Sequence, residues 1–183
     1  MKFYRAARNV GGEFIQISPA SKNCINIMEI RKVDNSVNEL LDGPTLDASA
    51  LAGKIQRLHI FFSLLIPDMS HEEKQLLDEA LIKTYAQKGI THKNESLFDL
   101  QHPNQYKKMP ILEDVYNVLL EGEDTKRLAH ILNRLVHGSA SSFNQQTNVD
   151  LTNKYTVLDI SELTGSSDLL TVGHVRCPGL CLG

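Results

Sequence analysis

Gly53-Lys54 sets a lysine beside a glycine, the pairing that in a phosphate-binding loop brings an ammonium group to a triphosphate. The full loop, Gly-x-x-x-x-Gly-Lys-[Ser/Thr], also needs an earlier glycine, so that backbone amides wrap the phosphates, and a hydroxyl after the lysine to hold magnesium. Here Ala48 stands where the first glycine belongs and Ile55 where the hydroxyl belongs. The pair also falls within a helical pattern with an apolar face, so a structural role is the better reading. Gly138-Ser139-Ala140-Ser141-Ser142 places small residues behind another helical pattern, where backbone amides could form an anion nest, but no lysine follows.

Other chemistries lack a complete residue set. Ser139 as nucleophile, His137 as base and Asp150 as its orienting carboxylate would make a hydrolytic triad, yet no Gly-x-Ser-x-Gly turn sets the serine at a strand end. Cys177 and Cys181, with His174 nearby, amount to half a metal site, and no further pair at ligand spacing completes it. Lys107-Lys108, Lys126-Arg127 and Arg134 could form a basic stripe, but Glu113, Asp114, Glu121, Glu123 and Asp124 lie among them and dilute its field. The residues alone thus assign no catalytic group and no metal ligand, and leave a cofactor site unknown.

The bulk properties bound the remaining possibilities. With 183 residues, 42% hydrophobic and 22% charged, the chain can bury one globular core. A net charge of -3 gives no bulk electrostatic support for a nucleic-acid partner. The apolar run Ile60-Phe61-Phe62-Ser63-Leu64-Leu65-Ile66 stops at Pro67-Asp68, short of the roughly 18 residues that would suggest a membrane span. Met1-Lys2-Phe3-Tyr4-Arg5 lacks the features of a secretory signal, and three cysteines, Cys24, Cys177 and Cys181, are no disulfide framework. The expected location is the cytoplasm.

Periodicity supplies the elements. Residues 12–18 read as a strand between Gly11-Gly12 and Pro19, and Ile25-Asn26-Ile27-Met28 as a second strand or an extended connection. Leu51, Ile55, Leu58, Phe62 and Leu65 lay one stripe along a helix that starts near Leu46 and ends at Pro67. Ser70-His71-Glu72-Glu73 spells a capping box for a helix carrying Leu76, Leu77, Ala80, Leu81 and Tyr85, closed near Gly89. Residues 91–108 read as a loop. A third helix has Pro110 in its first turn and Gly122 at its close, and a fourth runs from about Glu123 to His137-Gly138 with Leu128, Ile131, Leu132 and Leu135 inward. Residues 138–148 suit an ordered loop or an irregular helix end, and Tyr155 to Ile160 a strand. The fold class is α/β, with a helical block between the first and last strands.

Three segments carry a more specific signal: Gly11-Gly12-Glu13-Phe14-Ile15-Gln16-Ile17-Ser18-Pro19 followed by Asn26-Ile27-Met28; His137 through Asn144-Gln145-Gln146-Thr147-Asn148-Val149-Asp150-Leu151; and Val157-Leu158-Asp159-Ile160-Ser161. In this order and spacing they resemble the ATPase domain of conjugative type IV secretion ATPases, the TraE/TraC-like class with an FtsK/HerA-type, RecA-like domain, over about residues 3–173.

The resemblance implies a partial RecA-like P-loop NTPase domain: residues 1–44 as its first strands, 45–137 as a helical insertion, 138–173 as a loop and return strand. The family's phosphate loop lies upstream of the matched segments and its acidic magnesium-organising strand downstream, so Walker A and Walker B are both lacking and no catalytic residue transfers. The chain is expected to be an internal fragment that does not hydrolyse ATP alone. The intact relative would use ATP and magnesium as a hexamer with other type IV secretion subunits, peripherally at the inner face of the cell membrane, to energise DNA or protein transfer and pilus assembly. A sheet missing its central neighbours is expected to self-associate. Residues 174–183 depart from the family pattern and are expected to be read in a shifted frame. The rival reading is a helical protein-interaction module without catalytic activity, in which residues 46–89 offer an apolar groove.

Overall fold

The computed structural model describes residues 11–16, 22–31, 49–138, 141–149, 156–159 and 180–182. Three strands, β1 (Glu13–Gln16), β2 (Thr156–Asp159) and β3 (Leu180–Leu182), form a parallel sheet in the order β1-β2-β3. Glu13 faces Thr156 and Gln16 faces Asp159, while Thr156 faces Leu180 and Leu158 faces Leu182. Parallel neighbours cannot be joined by a tight turn. Between β1 and β2 the described residues instead pass through the helices α1 (Ala50–Leu65), α2 (His71–Gln87), α3 (Leu112–Leu120) and α4 (Lys126–Val136). Helices dominate the described residues and the sheet is small, so the expected α/β class holds only in outline.

Each helix begins and ends for a local reason. At α1, Ser49 Oγ accepts from Ala52 N, and Asn94 Oδ1 accepts from Ala50 N at 3.0 Å. The helix starts at Ala50 rather than near Leu46, and it stops where Ile66 precedes Pro67. The expected capping box opens α2: Glu73 N donates to Ser70 Oγ at 3.1 Å and Ser70 N to Glu73 Oε2 at 2.9 Å. At its other end Gly89 adopts φ +67°, so that Gly89 N reaches Ala86 O and Ile90 N reaches Tyr85 O, the paired bonds of a Schellman motif.

Helix α3 starts later than expected, because Ile111 is extended and its amide donates to Asp114 Oδ2; Pro110 therefore precedes the helix instead of opening it. Helix α4 starts at Lys126 rather than Glu123, because Thr125 Oγ1 donates to Leu119 O and to Gly122 O and folds the connection into a turn. The helix faces pack one core, in which Leu51, Leu58, Phe62, Leu77, Leu81, Tyr85, Leu112, Leu119, Leu128 and Leu132 are buried. The buried stripes of α1 and α2 are thus spent on this core.

Residues 91–108 are more ordered than a plain loop. They contain a 3-10 turn (Asn94–Leu97) and an antiparallel bridge between Phe98 and Tyr106, whose rings meet edge to face at 5.0 Å. Asp99 Oδ1 accepts from Gln101 N and His102 N, and these amide bonds hold its carboxyl below the usual range.

Candidate functional site

Among the described residues the sequence candidates do not converge. Gly53 lies in the second turn of α1 with its amide bonded to Ser49 O, so its backbone is committed to the helix and cannot wrap a phosphate. Gly138 follows α4, and a Cβ built there would stand 2.2 Å from the carbonyl oxygen of Arg134; the glycine is required by close approach to the helix end. His137 packs edge to face on Tyr116 at 5.4 Å. Its triad companions Ser139 and Asp150 lie outside the described residues, as do His174 and Cys177, while Cys181 falls within β3, described by its backbone alone. Among the described residues no group of three His, Cys, Asp or Glu side chains could hold a metal ion. No described helix is long and apolar enough to cross a membrane.

The basic stripe is broken up by pairing. Arg127 donates to Glu73 Oε1 and to Asp68 Oδ2, both at 2.6 Å, which raises its own basicity. The Ser70 amide and then Arg127 hold the Glu73 carboxyl below its ordinary value. Lys126 pairs with Glu123, Lys88 with Asp114 and Lys83 with Glu121, and Lys107 Nζ donates to the Gly89 carbonyl. These contacts leave a mixed-charge surface, as the interleaved acids predict.

Convergence occurs elsewhere, in a polar joint where three distant segments meet. Asn26, 2% exposed, is at its centre. Its Oδ1 accepts from Met28 N at 2.9 Å, closing an Asx turn. That turn is why Ile25 to Met28 bends instead of forming the second strand. Asn26 Nδ2 donates to Pro110 O at 2.9 Å and reaches Gln146 Oε1 at 3.4 Å, while Asn26 N donates to Thr147 Oγ1. The Thr147 hydroxyl in turn donates a hydrogen bond to Glu29 Oε2 at 2.6 Å. Asn148 grips the same segment from the other side: its Oδ1 accepts from Cys24 N at 2.7 Å, its Nδ2 donates to Lys22 O, and its amide donates to Cys24 O.

Asn144, 3% exposed, does the same for the helices. Ile111 has no polar atom with which to cap α3, and Asn144 Oδ1 accepts from Glu113 N at 2.7 Å in its place. The Nδ2 of that side chain donates to Val136 O at the end of α4. One amide thus sets its oxygen against the positive end of α3 and its nitrogen against the negative end of α4, as the helix dipoles favour. Gln146 Nε2 donates to Met109 O, and Tyr85 OH, pushed above its usual pKa by burial, donates to Met28 O. No buried side-chain nitrogen or oxygen among the described residues lacks a partner.

The residue-by-residue reading missed this site, although Asn26 and Asn144 to Asn148 stand within the family-like segments. The one available signal was the density of side-chain amides at 144–148, close to a helix end.

No family model matches the chain, and no curated protein does. Among solved structures the chain is similar to VirB4 of Thermoanaerobacter pseudethanolicus, at 25% identity and a TM-score of 0.70. The likeness covers 92% of this chain and 60% of the VirB4 chain. It relates the chain to the type IV secretion ATPases.

Proposed function

We propose that this chain is a portion of a conjugative type IV secretion ATPase, of the TraE/TraC-like class, lying between the two nucleotide-binding motifs of a RecA-like domain. The observation that carries the reading is a shared fold over nearly the whole of this chain and a part of VirB4. The parallel pairing of β1 with β2 around a helical insertion supports the RecA-like placement. The intact protein binds ATP and magnesium, assembles as a hexamer with other secretion subunits at the inner face of the cell membrane, and energises DNA or protein transfer and pilus assembly. This portion supplies no phosphate loop, since Gly53-Lys54 is helical and Gly138 serves a helix end. It does not hydrolyse ATP by itself.

The DNA on either side of the coding segment tests the parentage. An upstream stretch in the same frame that encodes Gly-x-x-Gly-Ser-Gly-Lys-Ser supports it, and a flank encoding no such motif overturns it. The same reading decides the tail: a single-base shift near Gly173 that restores an amphipathic helix supports the frameshift, and an intact frame removes it.

A further inference from the structure

The hydrogen bonds around Asn26 share atoms in a way that independent loop contacts do not. The Asn26 side chain touches its own segment at Met28, the approach to α3 at Pro110 and the 141–148 segment at Gln146. Thr147 Oγ1 both accepts from Asn26 N and donates to Glu29. Ile25 N donates to Ser142 O at 3.1 Å, Asn148 N to Cys24 O at 3.2 Å, and Glu113 N to Asn144 Oδ1 at 2.7 Å. Breaking either bond of the buried Asn26 side chain alone, to Met28 N or to Pro110 O, leaves a buried group without a partner, which costs more than the bond contributes. The half-buried and exposed bonds around it share its residues and lose their geometry with it. States with a single bond open are therefore disfavoured, and states with all or none remain.

We propose that residues 22–29, 109–113 and 141–148 form one cooperative joint that opens and closes as a unit, fusing the two chain crossings between the sheet and the helical block into a single mechanical connection. Segment 22–29 follows β1 and segment 141–148 precedes β2, so the joint ties both crossings to the start of α3 and, through Asn144, to the end of α4. A displacement of either crossing is passed to the helices through Asn26 and Asn144 together.

Amide hydrogen exchange on the full 183-residue chain tests this. In the unaltered protein the amides of Ile25, Asn26, Glu113 and Asn148 share one opening equilibrium, distinct from that of α2; four unrelated protection factors would overturn the joint. Thr147→Val keeps the side-chain shape and removes the central hydroxyl. It is expected to speed exchange at Ile25, Glu113 and Asn148 by about tenfold or more together, with the Leu81 amide in α2 unchanged, as a sub-global unit requires. Acceleration of Asn26 alone, of no amide, or of α2 to the same extent contradicts the proposal. Gln145→Ala, at an exposed neighbouring position, is expected to leave all four amides unchanged.

Discussion

Around α1–α4 the chain is held by apolar side chains such as Leu81, Leu112 and Leu132, each with essentially no exposure. Between 22–29 and 141–148 it is held by side-chain amides, a hydroxyl and a carboxylate. The first kind of contact is non-directional and tolerates changes of shape at constant volume. The second fails when one atom is replaced, because the partner stays behind, buried and unsatisfied. The helical block could therefore be written in many sequences, whereas the joint depends on the particular buried amides of Asn26 and Asn144.

The contrast can be broken at four places, in falling order of effect. Leu112→Ala opens a cavity where α3 meets the core and is expected to cost about 2–5 kcal/mol, read from denaturant unfolding; Leu112→Met, which nearly conserves volume, should cost less than about 1.5 kcal/mol. Asn26→Ala strands Pro110 O and the Met28 amide and is expected to cost about 3 kcal/mol, and here no isosteric rescue exists: Asn26→Asp keeps the acceptor for Met28 N and still loses the donor to Pro110 O. If Asn26→Asp were as stable as the parent, the joint would not depend on directional bonds. Tyr85→Phe removes only the hydroxyl bonded to Met28 O and should cost about 1–2 kcal/mol in the same measurement.

The smallest effect is a change with pH at Glu73. Its folded pKa lies below the ordinary 4.5, so its contribution is complete above that value and fades as pH falls through the lower folded value. Glu73→Gln should flatten that acid limb, and stability profiles of the two proteins should converge below it. Equal acid limbs in parent and variant would place the effect elsewhere.

Much of the helical block was legible in the sequence, because periodic burial leaves a direct imprint: the stripe of α1, the Ser70 capping box and the Gly89 close stand where spacing puts them. Starts governed by tertiary partners were not. Helix α3 begins at Leu112, held there by the local bond from Ile111 N to Asp114 and by a remote cap, Asn144, in a segment that periodicity cannot reach. The Ile25–Met28 stretch has strand-like composition but bends at an Asx turn, closed by Met28 N on Asn26 Oδ1, and its Asn26 amide donates to the remote Thr147 hydroxyl instead of to a neighbouring strand. The structural role of Gly53-Lys54 was legible for a different reason: a phosphate loop is a local motif that Ala48 and Ile55 do not complete, and the pair stands within α1.

Equilibrium dialysis of the purified 183-residue chain against labelled ATP, with and without magnesium, tests the central claim most directly. The account predicts no saturable retention at millimolar nucleotide in either condition. Saturable retention that requires magnesium would contradict it, because a complete triphosphate site would then exist within these residues.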